Sequence, residues 1–171
     1  MNKYIFLNIL IVVSFSCSNK NNQDKEKVMN YKLTWGMISN YLEGESSSRA
    51  AFTIHNKTNQ ELGNESWAIF YSQSPRTVTN HSNSKANINQ INGDWYSITP
   101  NESFLLPPGD QITIQYDMSH FIIKETDAPL YPYLVLYDQD GNQKDISRIT
   151  DYSILPFDKP EKINRGKNDV V

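Results

Sequence analysis

At 171 residues the chain has the length of about one domain. A hydrophobic share of 38%, with aromatics at 12% of all residues, leaves ten tyrosines and seven phenylalanines to fill a thin core. The net charge of -3 is scattered along the chain, which offers no basic face and argues against a nucleic-acid partner.

The chain opens with Lys3 and an apolar run from Tyr4 to Phe15, broken by Asn8 and Ser14. That run is too short to span a bilayer and has the length of a signal-peptide core. It ends in SFSC, whose Cys17 is the only cysteine and so has no internal disulfide partner. The pattern reads as a bacterial lipobox, with Ser14 where such boxes usually carry Leu. Residues 1–16 are then a lipoprotein signal peptide, and Cys17 becomes the lipidated mature N-terminus. Residues 17–30, beginning CSNKNNQDKEK, form a polar tether. The alternative is an ordinary secretory signal cut nearby.

From residue 31 short strands follow one another between turn residues. YKLTWGMI puts Leu33, Trp35 and Met37 on one face, and RAAFTIHN does the same with Ala50, Phe52 and Ile54. WAIFYS, from Trp67, is apolar on both faces, as a central strand is. INGDWYSITP carries a hairpin turn, with Asn92-Gly93 suited to positive φ. Trp95 and Tyr96 then point to opposite faces, so they form no common platform. QITIQYDM alternates most clearly, with Ile112, Ile114, Tyr116 and Met118 on one side. YLVLYD, from Tyr133, is again two-sided, and the DQDGN that begins at its last residue, Asp138, reads as a turn rather than a calcium loop, since the later bidentate Glu is missing. No stretch carries a convincing helical stripe. Strands at this spacing predict an all-β fold, an antiparallel β-sandwich or a barrel.

Chemistry is sparse. The histidines His55, His81 and His120 stand far apart, no nucleophile elbow or phosphate loop occurs, and nothing marks a carboxylate pair. No cofactor or metal is expected, and none of these patterns points to an enzyme. Exposed aromatics remain, because flat rings can stack on the apolar face of a pyranose. Trp35 and Trp67 read as core. Tyr131, beside Pro132 in a loop-like stretch, is the ring expected to be exposed, and Tyr131 with Tyr133 are the candidate sugar-binding residues. The triplets at Asn56, Asn64, Asn80 and Asn101 match glycan acceptors, but an Asn- and Ser-rich chain produces them by chance.

The segment from Trp35 to Phe157 resembles the N-terminal domain of chitobiases and related bacterial β-N-acetylhexosaminidases of glycoside hydrolase family 20. The resemblance is carried, in order, by AAFTIHNKTNQEL, WAIFYSQSPR, INGDWYSITPNESFLLPPGDQITIQY, APLYPYLVLYD and DYSILPF. It implies a sandwich of the carbohydrate-binding-module type over residues 31–157, with 158–171 as a linker toward a (β/α)₈ barrel. In that family the barrel holds an adjacent Asp-Glu pair and hydrolyses with help from the substrate's own acetamide. This chain has no adjacent Asp-Glu in either order, and 171 residues cannot hold a barrel of about 250. The family also tends to place an aliphatic residue where Trp95 stands, which implies packing there.

The expectation is a non-catalytic carbohydrate-binding or scaffold module of a β-N-acetylhexosaminidase, the product of a truncated gene, lipid-anchored in the bacterial cell envelope on the outer-membrane or periplasmic side. Its expected partners are N-acetylglucosamine-containing glycans, a separately encoded hexosaminidase catalytic domain, and a membrane through the lipid anchor. The alternative is a stand-alone surface lipoprotein that mediates protein-protein interaction.

Overall fold

Alternating burial and turn chemistry build ten strands, seen in a computed structural model that describes residues 30–40, 45–64, 67–81 and 85–156. They are β1 (Tyr31–Asn40), β2 (Ser47–Asn56), β3 (Trp67–Ser72), β4 (Val78–His81) and β5 (Ala86–Asn92), then β6 (Trp95–Pro100), β7 (Gln111–Ser119), β8 (Leu130–Tyr137), β9 (Gln143–Arg148) and β10 (Asp151–Ile154). The one helical element among the described residues is a 3-10 turn at Glu125–Asp127. Cys17 and the leader around it, and the segment 158–171, lie outside the described residues.

The strands form two five-stranded sheets, ordered β10-β1-β2-β7-β4 and β5-β6-β3-β8-β9. Both are antiparallel except where β10 runs parallel to β1. Strand β3 is the middle strand of its sheet, as its two-sided apolar run predicted. The edge strands β4 and β10 are four residues each, too short to offer a long unpaired ladder.

Between the sheets lies a core in which aliphatic side chains surround a set of packed aromatic rings. Phe52 and Tyr116 stack from neighbouring strands at 5.8 Å, Phe52 meets Tyr71 of the opposite sheet at 5.0 Å, and Tyr71 stacks on Tyr96 at 5.4 Å. Several buried polar tips have partners, although the Tyr71 hydroxyl has none among the described residues. The Trp35 indole donates to the Tyr116 hydroxyl at 2.9 Å, and the Trp67 indole donates to the Gly63 carbonyl at 2.9 Å. The Tyr96 hydroxyl donates to the Arg76 carbonyl and accepts from its N–H, both at 2.7 Å. Burial pushes the hydroxyls of Tyr71 and Tyr116 well above the ordinary tyrosine range.

Asn56 is fully buried. Its side chain donates to the carbonyls of Gln60 and Leu106 and accepts from the N–H and hydroxyl of Thr58, which closes the turn after β2. It is a structural residue and no glycan acceptor. The DQDGN stretch is a turn, in which the Asp138 carboxylate accepts from the N–H groups of Asp140 and Asn142. The β5–β6 hairpin falls where NGD predicted it, with one correction. Positive φ is confined to Gly93, at +51°, while Asn92 pairs with Trp95 as the last rung of the ladder.

Candidate functional site

Each sheet turns one face to the core and one outward, and the two outer faces differ in chemistry. On the first sheet, cross-strand register lines up Ser153, Thr34, Thr53 and Thr113. These hydroxyls are satisfied by one another, Thr34 with Ser153 at 3.3 Å and Thr53 with Thr113 at 3.0 Å. Charges on the same sheet are also paired, Arg49 with Asp117 and Lys57 with Asp151, each at 2.6 Å.

The second sheet is different. Register places Asn89 of β5, Ser97 of β6, Phe70 of β3, Tyr133 of β8 and Arg148 of β9 in one row across all five strands. At about 4.8 Å between strands the row is roughly 19 Å long. Its centre is aromatic. Phe70 and Tyr133, direct cross-strand neighbours, have ring centroids 5.5 Å apart. Trp95 closes a triangle with them, 5.9 Å from Phe70 and 5.8 Å from Tyr133. All three are half-buried, with the rest of each ring open outward. Burial raises the Tyr133 hydroxyl above the ordinary tyrosine range, and nearby Tyr137 adds to the shift, so it stays a neutral donor and acceptor at physiological pH. Polar groups flank the rings. The Ser72 hydroxyl donates to the Asp94 carboxylate at 2.8 Å beside Trp95, and Asn87 and Asn89 are exposed on β5.

Tyr131 stands just beyond this row, at 70% exposure, and its ring faces the Arg148 guanidinium at 5.9 Å. It is not in a loop, as expected, but within β8 at a bulge, where Phe70 pairs with Tyr133 while Ser72 pairs with Leu130. Pro132 fits there because a bulge does not demand its missing N–H. The first bulged residue ordinarily lies near the right-handed α region, which a following proline disfavours. Tyr131 instead takes φ = +53°. Tyr131, Tyr133, Ile146 and Arg148 line an open groove of about 450 Å³.

Both candidate tyrosines are therefore on one face and share one groove, while Cys17 lies outside the described residues. Trp95 packs, as expected, but on the outer face, against Phe70 and Tyr133. Phe70, Trp95, Asn89 and Arg148 were missed as site residues. Phe70 had no clear signal, since WAIFYS is apolar on both faces. Among the described residues, no group of three His, Cys, Asp or Glu side chains could hold a metal ion.

The fold is thus a two-sheet sandwich with a cluster of aromatic rings half-open on one outer face. Residues 20–169 match the family model CHB_HEX, described as "Putative carbohydrate binding domain". The chain belongs to that family. No curated protein matches it.

Among solved structures it is similar to the glycoside hydrolase family 20 exo-β-N-acetylglucosaminidase of Vibrio harveyi, both as an inactive mutant and in complex with N-acetylglucosamine. Each shares 18% identity and a TM-score of 0.54 over 74% of this chain. The match spans 18% of the Vibrio enzyme's length. The chitin-binding domain of Chi18aC from Streptomyces coelicolor also matches, at 16% identity and a TM-score of 0.46, over 67% of this chain and 99% of that one.

Proposed function

We propose that this protein is a non-catalytic module that binds N-acetylglucosamine-containing glycans across the outer face of the second sheet and acts beside a β-N-acetylhexosaminidase barrel. The observation that carries the reading is the five-strand row with the Phe70–Trp95–Tyr133 cluster at its centre. Rings supply stacking surface, while Asn89, Asn87 and the Ser72–Asp94 pair supply hydrogen bonds to hydroxyl and acetamide groups. Family membership supports the ligand class, and the likeness to part of the Vibrio harveyi enzyme supports the association with hexosaminidases.

Titration with chitotetraose, followed by tryptophan fluorescence and calorimetry, tests the binding reading. Each stacked ring contributes on the order of 1 kcal/mol, so Trp95→Ala and Tyr133→Ala each weaken binding about fivefold. Absence of a saturable signal at millimolar ligand would overturn glycan binding and leave the scaffold role. Hydrolysis of a chromogenic N-acetylglucosaminide by the purified protein would overturn the non-catalytic part.

We further read Cys17 as the lipidated N-terminus holding the module in the cell envelope, supported by the apolar run before it. Mass spectrometry of the mature protein and its detergent partitioning, compared with Cys17→Ser, test the anchor.

A further inference from the structure

The groove beside Tyr131 carries an asymmetry that neutral sugar stacking does not use. Arg148 ends the cross-strand row, exposed on edge strand β9, and is the only charged residue lining the groove with Tyr131, Tyr133 and Ile146. A second groove of about 410 Å³, which runs past Leu130, Pro132 and Tyr152, shares Tyr131 and Arg148 and again has no other charged lining. The described ion pairs belong to Arg49, Lys57 and Arg76, so Arg148 has no carboxylate partner among the described residues. Its guanidinium is instead held near the Tyr131 ring at 5.9 Å. A cation over a ring face is positioned while its outward N–H groups stay open.

Local backbone keeps this pair in place. Tyr131 is presented by a bulge in a left-handed conformation, and such outliers persist where surrounding structure imposes them. Arg148 sits directly opposite Tyr133. A sugar stacked on Tyr133 therefore has a planar fork of N–H donors at its rim, a geometry suited to a carboxylate bound through two parallel hydrogen bonds.

We propose that the Tyr131–Arg148 end of the row is a subsite for a carboxylate-bearing sugar of the hexuronate type, so that the module prefers acidic glycans over neutral ones. This rests on the glycan-binding reading above and adds the charge of the ligand to it. Arg148 is the specificity-determining residue, and the central rings supply affinity common to both glycan types.

The test compares chitotetraose, which is neutral, with a hyaluronan tetrasaccharide, in which N-acetylglucosamine alternates with glucuronate. Calorimetry on the full-length chain, at low salt and at about 0.5 M salt, gives both affinities. The acidic tetrasaccharide is expected to bind roughly five- to tenfold more tightly at low salt, with the preference shrinking at high salt. Arg148→Gln is expected to abolish the preference by weakening hyaluronan binding several-fold more than chitotetraose binding, and Arg148→Lys to retain part of it. Equal binding of both probes by the wild type, or a preference that survives Arg148→Gln, overturns the subsite and leaves the glycan reading standing. Failure of both probes to bind overturns the glycan reading, and this subsite with it.

Discussion

Tyr131 offers a separation of backbone strain from ring chemistry at one position. At φ = +53° the left-handed backbone costs a residue with a Cβ about 1–2 kcal/mol. Glycine escapes that cost but loses about 0.5–1 kcal/mol more conformational freedom on folding. Tyr131→Gly is therefore expected to be more stable than Tyr131→Ala by about 0.5–1 kcal/mol. Both variants delete the same 70%-exposed ring and the same contact with Arg148, so those losses cancel in the comparison. For a domain of this size the difference is a few degrees in Tm. Thermal unfolding followed by the fluorescence of the buried Trp35 and Trp67 reads it. Glycan affinity falls equally in both variants, since neither has a ring. An alanine variant as stable as the glycine one would show that no strain is held at this bulge.

Two further predictions concern the interior. Burial raises the Tyr116 hydroxyl far above its unfolded value, so above about pH 10 the unfolded chain has released a proton that the native state still holds. The group's contribution is intact below that pH and falls by up to about 1.4 kcal/mol per pH unit above it. Tyr116→Phe costs about 1 kcal/mol at neutral pH through the lost hydrogen bond from Trp35, and the gap to wild type should narrow between pH 10 and 12. A gap that stays constant in urea unfolding across that range would refute the assignment. Asn56→Ala removes four hydrogen bonds at a fully buried position and should cost about 2–4 kcal/mol, read from the denaturation midpoint. A loss below about 1 kcal/mol would mean that the turn after β2 holds without it.

The sandwich was legible in the sequence because a half-buried strand writes itself as alternation. Leu33, Trp35 and Met37 are buried together, as are Ile114, Tyr116 and Met118, just as their period of two indicates. The outer site was harder to read for the same reason. In WAIFYS both faces are apolar, so the period cannot separate Phe70, which faces outward, from Ile69 and Tyr71, which face in. Trp95 was placed by analogy with an aliphatic position, whereas its role comes from neighbours on two other strands. Arg148 had no signal at all. Its meaning depends on the β8–β9 register that sets it opposite Tyr133, and register is a property of pairs of strands rather than of either one. The parallel docking of β10 on β1 was hidden likewise, since four residues of DYSI carry no mark of direction.

The contrast between the two outer faces carries the argument for a ligand further than either face alone. A sheet that covers the core with one side ordinarily turns a polar side to water, and the first sheet does so with hydroxyls and ion pairs satisfied within the face. Folding did not require the second sheet to differ, because its inner face already supplies Ile69, Tyr71, Tyr96 and Ile98 to the core. Yet the strands that deliver those residues also carry Phe70 and Trp95 outward, and β8 adds Tyr133 beside them. Rings left half-open at the middle of a sheet gain more from a partner that is apolar on one face and polar at its edge than from water. A pyranose has that shape, and in the proposed binding mode the amides at one end of the row and the guanidinium at the other would meet its polar edge.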